Sequence, residues 1–89
     1  FLHITRMAHA FHVDTMPHAS IGIGVFMAAS LHAAAAVKRL PYHEYQHSIF
    51  DRNLRFVEGD MGCDAGFYRL PSGPGLGVVP APAVFDHVI

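Results

Sequence analysis

The string His43-Glu44-Tyr45-Gln46-His47 has the residue types and spacing of a zinc-hydrolase motif. On a helix, an H-E-x-x-H run sets two imidazoles on one face to ligate zinc, and the glutamate between them polarises a water. The flanking residues oppose that reading. Pro41 and the two tyrosines favour an extended segment, in which positions 43 and 47 stand roughly 13 Å apart. No third ligand follows at the spacing of the extended zinc motif, and a chain with eight histidines produces such a match readily by chance. A zinc hydrolase remains an alternative, and it requires a helix over residues 43–47.

His18 stands in Pro17-His18-Ala19-Ser20, between a short apolar segment and the mouth of the next helix. Histidine is the side chain best matched to proton transfer near neutral pH. In a barrel of alternating strands and helices, a strand-end position faces the active site. The competing reading is a histidine that caps the helix or is satisfied in the core. Glu44 has the same address on the following strand, where Tyr42, Glu44 and Gln46 share one face because side chains alternate. A carboxylate on an apolar strand costs free energy unless it is paired or sits at a polar mouth. An edge glutamate in solvent is the other way to accommodate it.

Other groups carry less. Gly22-Ile23-Gly24 opens a helix, where backbone N–H groups can hold an anion, but the third glycine of a dinucleotide fingerprint is missing, which favours packing. Gly73-Pro74-Gly75-Leu76-Gly77 lacks the lysine and the following helix of a phosphate loop. Asp51-Arg52 reads as a surface ion pair, and His9 and His12 as an ordinary i, i+3 pair. Cys63 lies between Gly62 and Asp64 with no base nearby in sequence, which argues against a catalytic thiol.

The elements that must position His18 and Glu44 follow from periodicity. Leu2, Ile4, Met7, Ala8 and Phe11 fall close to helical spacing. Residues 11–16 alternate loosely and end at Pro17, which predicts a short buried strand. Residues 19–37 contain His32 as their one ionisable group. Their length admits a membrane span, but alanine, serine and glycine dilute the apolar character, so a helix wedged between protein layers is expected over 23–39. Lys38 and Arg39 suit its C-terminus and Pro41 stops it. Residues 41–46 form a second strand candidate. The order helix, strand, helix, strand implies parallel pairing that neither strand satisfies alone. Beyond Ser48, glycines and Pro71, Pro74, Pro80 and Pro82 forbid long helices. A looping tail with one small hairpin is expected there, draped over a partner domain.

The 89 residues make one small domain or a piece of a larger one. Hydrophobic residues are 52% and charged residues 15%, which excludes disorder. Net charge is −1, which removes the electrostatic case for nucleic acid. A single cysteine, Cys63, excludes an internal disulfide and favours a reducing compartment, so a cytoplasmic location is expected. The chain opens on Phe1 without a basic-then-apolar leader, and it reads as part of something longer.

Taken together, Phe11-His12-Val13, Met16-Pro17-His18, the Gly/Ala-rich helix with Leu31-His32, Tyr42-His43-Glu44-Tyr45 and Leu70-Pro71-Ser72-Gly73-Pro74-Gly75-Leu76-Gly77-Val78 form a recognisable pattern. It resembles the C-terminal segment of the enolase superfamily, in its mandelate racemase, muconate lactonizing and acid-sugar dehydratase branch. The resemblance implies an α/β fold, the last two units of a modified (β/α) TIM-type barrel. Residues 1–47 would supply those units, and 48–89 a tail returning to an N-terminal capping domain. His18 would match the seventh-strand general base or acid. Glu44 would match the eighth-strand carboxyl that hydrogen-bonds the substrate carboxylate as it becomes an ene-diolate. The expected cofactor is Mg²⁺, with its three carboxylate ligands on earlier strands outside this segment. A His or Lys base acting with Mg²⁺ is the family's own chemistry and is not read from spacing.

The resemblance thus implies proton abstraction alpha to a carboxylate, in a sugar-acid dehydratase that is a homo-oligomer with no nucleic-acid or membrane partner. Racemase or cycloisomerase chemistry of the same superfamily stays open. From other classes, the zinc hydrolase and a non-catalytic fragment or binding module remain as rivals.

Overall fold

The computed structural model describes residues 1–19 and 22–88. Helix α1 spans Leu2–Ala10. It ends where Phe11 and His12 turn, with His12 at φ +57°, a left-handed conformation that stops a helix in an L-residue chain. Thr5 is its buried side chain, and its hydroxyl donates to the Phe1 carbonyl at 3.2 Å. The periodic apolar stripe of Leu2, Ile4, Met7 and Phe11 is exposed.

Helix α2 spans Gly24–Ala35. Its residues are apolar nearly all round, so packing rather than pattern selects the inner face. Gly24, Met27, Ala28, Leu31 and Ala34 are buried, the i, i+3, i+4, i+7 stripe of a one-sided helix. The expected helix over 23–39 is therefore too long at its C-terminal end. Ala36 N–H reaches the His32 carbonyl, and Val37 N–H takes the shorter bond to Ala34, which tightens the last turn. Leu40 precedes Pro41 and is pushed away from the helical region. Lys38 and Arg39 form a turn instead, and the Arg39 carbonyl accepts from His9 Nε2 at 3.0 Å, tying α1 to the exit of α2.

Residues 11–16 and 41–46 form no regular strand. The first begins in the Phe11–His12 turn. The second meets the chain just after the first through its Glu44 N–H, which donates to the Pro17 carbonyl at 3.2 Å. A parallel ladder needs neighbours on both sides, and one bond does not make a strand.

The tail is more ordered than its glycines and prolines suggest. Helix α3, His47–Asn53, was not anticipated; it is anchored by buried Phe50. Asn53 Nδ2 donates to the Gly22 carbonyl at 3.0 Å. A single 3-10 turn at Leu54–Phe56 leads into β1, Val57–Gly59, which pairs antiparallel with β4, Val78–Pro80. Between them β2, Gly62–Asp64, and β3, Phe67–Arg69, form the expected hairpin, with Cys63 opposite Tyr68. Its two-residue turn has Ala65 at φ +48° and Gly66 at φ +82°, the primed geometry that matches strand twist.

Ala19, Met27, Ala28, Leu31, Phe50 and Met61 form the core, with Leu54, Val57, Tyr68, Leu76 and Val78 packed on it. The tail thus lies over α2. Gly24 permits this, since a Cβ there would fall 2.5 Å from Val57 Cγ2. Gly77 serves the same end in the Pro/Gly loop. Its φ is +71°, and a Cβ would meet the Pro71 backbone carbonyl carbon at 2.8 Å.

Candidate active site

His18 and Glu44 lie 26 residues apart and come into direct contact, His18 Nδ1 against Glu44 Oε2. Pro17 fixes the backbone just before His18, and its carbonyl receives the Glu44 N–H, so the two segments meet beside these residues. The imidazole is 63% exposed and the carboxylate side chain 36%, which leaves the pair accessible to a small molecule.

A neutral His18 ring donates Nδ1–H to the carboxylate, which orients the ring and places the basic lone pair on Nε2. The pair can also carry one proton more, as an imidazolium facing a carboxylate or as a carboxylic acid facing an imidazole. Such a couple can both accept a proton and return it.

The peptide of Glu44 is held on both sides. Its carbonyl accepts from Tyr68 Oη at 2.7 Å and from His43 Nδ1 at 3.0 Å. Ser30 Oγ donates to His43 Nε2 at 2.8 Å, which fixes the neutral ring as the Nδ1–H tautomer. Around them, His43, Tyr45, Phe50 and Tyr68 pack edge-to-face, with ring centroids 5.2–5.8 Å apart. Burial pushes the Tyr68 phenol well above its ordinary value, so it remains a donor. Tyr45 donates to Asp51 Oδ1 at 2.6 Å, and that bond pushes its own phenol up to about 12.

The zinc reading of residues 43–47 fails here. Residues 43–46 lie outside any helix, and His47 is only the first residue of α3. Both ring nitrogens of His43 are committed to Ser30 and the Glu44 carbonyl. Among the described residues, no three His, Cys, Asp or Glu side chains converge to hold a metal.

A cleft of about 490 Å³ opens between the C-terminal half of α2, residues 40–43 and the hairpin. Leu31, Leu40, Tyr42, Phe67 and Tyr68 line it, and neither His18 nor Glu44 does. Its apolar walls offer no acid or base, since His43, which also lines it, has both ring nitrogens engaged. No described helix is long and apolar enough to cross a membrane.

Sequence reasoning named His18 and Glu44, which the structure brings into contact, and did not name the groups around them. Tyr68 sits in a Phe-Tyr-Arg run that signals only a hairpin strand. Ser30 is one small residue among alanines. His32 Nε2 donates to the Leu76 carbonyl at 3.0 Å and ties the Pro/Gly loop to α2; in sequence it entered only as part of the Leu31-His32 pattern, with no such tie foreseen.

The profile of the family described as enolase C-terminal domain-like matches residues 1–84. A solved structure from Sinorhizobium meliloti, provisionally described as an isomerase, is 49% identical with a TM-score of 0.89, covering 97% of this chain and 23% of that one. A member of the enolase superfamily from Agrobacterium tumefaciens is 48% identical with a TM-score of 0.88, covering 96% and 22%. A protein from Zymomonas mobilis ZM4, provisionally described as a dehydratase, is 28% identical with a TM-score of 0.77, covering 94% and 21%. The chain thus spans less than a quarter of the length of these proteins. No curated protein matches it significantly.

Proposed function

The chain belongs to the enolase C-terminal domain-like family, and from that membership we propose that it is the C-terminal part of an enzyme that removes the proton alpha to a carboxylate. The substrate class we assign is a sugar acid and the outcome dehydration. The observation that carries this reading is the contact of His18 with Glu44, where the Glu44 N–H also meets the Pro17 carbonyl.

In this reading, His18 Nε2 takes the alpha proton, and the electron pair of the broken C–H bond moves into the carboxyl group to give an ene-diolate. Glu44, protonated, donates to the oxygen on which the second negative charge develops, where a hydrogen bond helps most. The imidazolium of His18 then returns its proton to the hydroxyl on the neighbouring carbon. That C–O bond breaks, water leaves, and the resulting enol becomes a 2-keto acid. Enzymes of this family use Mg²⁺ at the substrate carboxylate. None of the steps above passes through it, because this segment holds no ligands for it.

Isomerisation is the second reading, favoured by the relative at 49% identity that is provisionally described as an isomerase. There the same ene-diolate is reprotonated at carbon and no water is lost.

One experiment separates the two: the full-length enzyme with Mg²⁺ and a panel of sugar acids in D₂O, followed by proton NMR. Dehydration gives a 2-keto acid. Isomerisation gives substrate or epimer carrying deuterium at the alpha carbon. No reaction and no exchange with any sugar acid would overturn the assignment.

A further inference from the structure

Building on the reading of Glu44 as the donor to the ene-diolate, we propose that Tyr68 and His43 clamp the Glu44 peptide and are positioning residues for its carboxyl group. Tyr68 Oη and His43 Nδ1 both donate to the Glu44 carbonyl, at 2.7 and 3.0 Å. Together they use both lone pairs of that oxygen. On the other side of the residue, the Glu44 N–H is bound to the carbonyl of Pro17, the residue that leads into His18. Residue 44 is therefore fixed at both its peptide groups, and its side chain projects from a backbone with little freedom to shift.

The clamp is itself braced. Ser30 on α2 holds His43 Nε2 at 2.8 Å. Tyr68 is wedged edge-on against His43, Tyr45 and Phe50. Burial keeps the Tyr68 hydroxyl protonated. Tyr68 lies on β3, 24 residues beyond Glu44, so the tail hairpin takes part in the site although it carries none of the reacting groups. A displacement of about 1 Å in a catalytic group can cost on the order of 100-fold in rate. Loss of one of two donors to the carbonyl should displace the carboxyl by less than that.

The test uses the full-length enzyme with its histidines labelled with ¹⁵N. It follows the ¹⁵N signals of the His18 ring at constant pH by NMR, which needs no substrate. The Nδ1 signal reports the hydrogen bond to Glu44, so Tyr68→Phe, which keeps the ring and removes only the hydroxyl, should move that signal away from its wild-type position. With the sugar acid that the panel identifies, kcat should fall about tenfold with KM within about twofold. In a Glu44→Ala background, which removes the side chain that the clamp positions, Tyr68→Phe should change neither kcat nor KM, because it acts only through Glu44.

Ser30→Ala releases the second donor at a helical position where alanine is favoured, and should give a smaller shift of the same sign. It carries the test if Tyr68→Phe does not fold. An unchanged His18 Nδ1 signal in folded Tyr68→Phe, or an equal effect on kcat in the Glu44→Ala background, would overturn the clamp. Full turnover by His18→Asn would instead overturn the catalytic reading, while the His18 signal in Tyr68→Phe still reports on the clamp.

Discussion

A polypeptide limited to residues 1–89 lacks whatever covers the apolar stripe of α1 and the outer edges of residues 11–16 and 41–46. A folded monomer of 9.7 kDa presents about 5,100 Å² of accessible surface. This chain presents 6235 Å², an excess of roughly 1,100 Å² over that expectation. Its radius of gyration is 14.0 Å, against about 12 Å for a globule of this length. Ile4, Met7, Phe11, Val13 and Met16 are each more than half exposed and account for much of the excess. If slightly more than half of it is apolar, burial worth about 15 kcal/mol is forgone. That equals the whole net stability of an ordinary domain. The isolated segment should therefore show no cooperative thermal transition by circular dichroism, poor dispersion of amide signals and strong binding of hydrophobic dye. A single sharp transition above about 45 °C, with calorimetric and van't Hoff enthalpies equal, would refute the reasoning.

Further outcomes follow for the full-length protein. Ala65→Asn should stabilise it by about 1 kcal/mol, because asparagine tolerates the left-handed position that Ala65 occupies at φ +48°; denaturant titration checks it. Gly77→Ala should destabilise it by at least about 2 kcal/mol, from the positive φ and the clash with the Pro71 backbone, measured the same way. Tyr45 ionises near 12 instead of 10 because its hydroxyl donates to Asp51. The stability this gives is complete below pH 10 and is lost as pH rises from 10 towards 12. Phenolate absorbance at 295 nm should show Tyr45 and Tyr68 both titrating late, and in Asp51→Asn one of them, Tyr45, should return towards pH 10.

The parts of the fold legible in sequence were those with a local cause. The period of Leu2, Ile4 and Met7 identified α1, although not which face would be covered. The Ala-rich run identified α2, and the glycine-punctuated tail announced one small hairpin without placing it. Strands at 11–16 and 41–46 were expected from alternation, yet a parallel strand exists only through partners distant in sequence. Helix α3 was hidden because its seven residues carry one deep anchor, Phe50, and no capping signal. His18 and Glu44 were legible because their residue types stand at segment ends. Their support was not, since a tyrosine on a short strand and a serine among alanines acquire a role only when the tail folds back over α2.

The measurement that tests the central claim most directly is alpha-proton exchange in D₂O by full-length wild type, His18→Asn and Glu44→Gln, with Mg²⁺ and the sugar acid found active. General acid–base groups contribute about 100- to 10,000-fold, so His18→Asn should lose exchange and turnover by a factor in that range. Glu44→Gln, which retains a donor but no acidic proton, should lose less. Exchange by His18→Asn at the wild-type rate would show that another group takes the proton and would contradict the account.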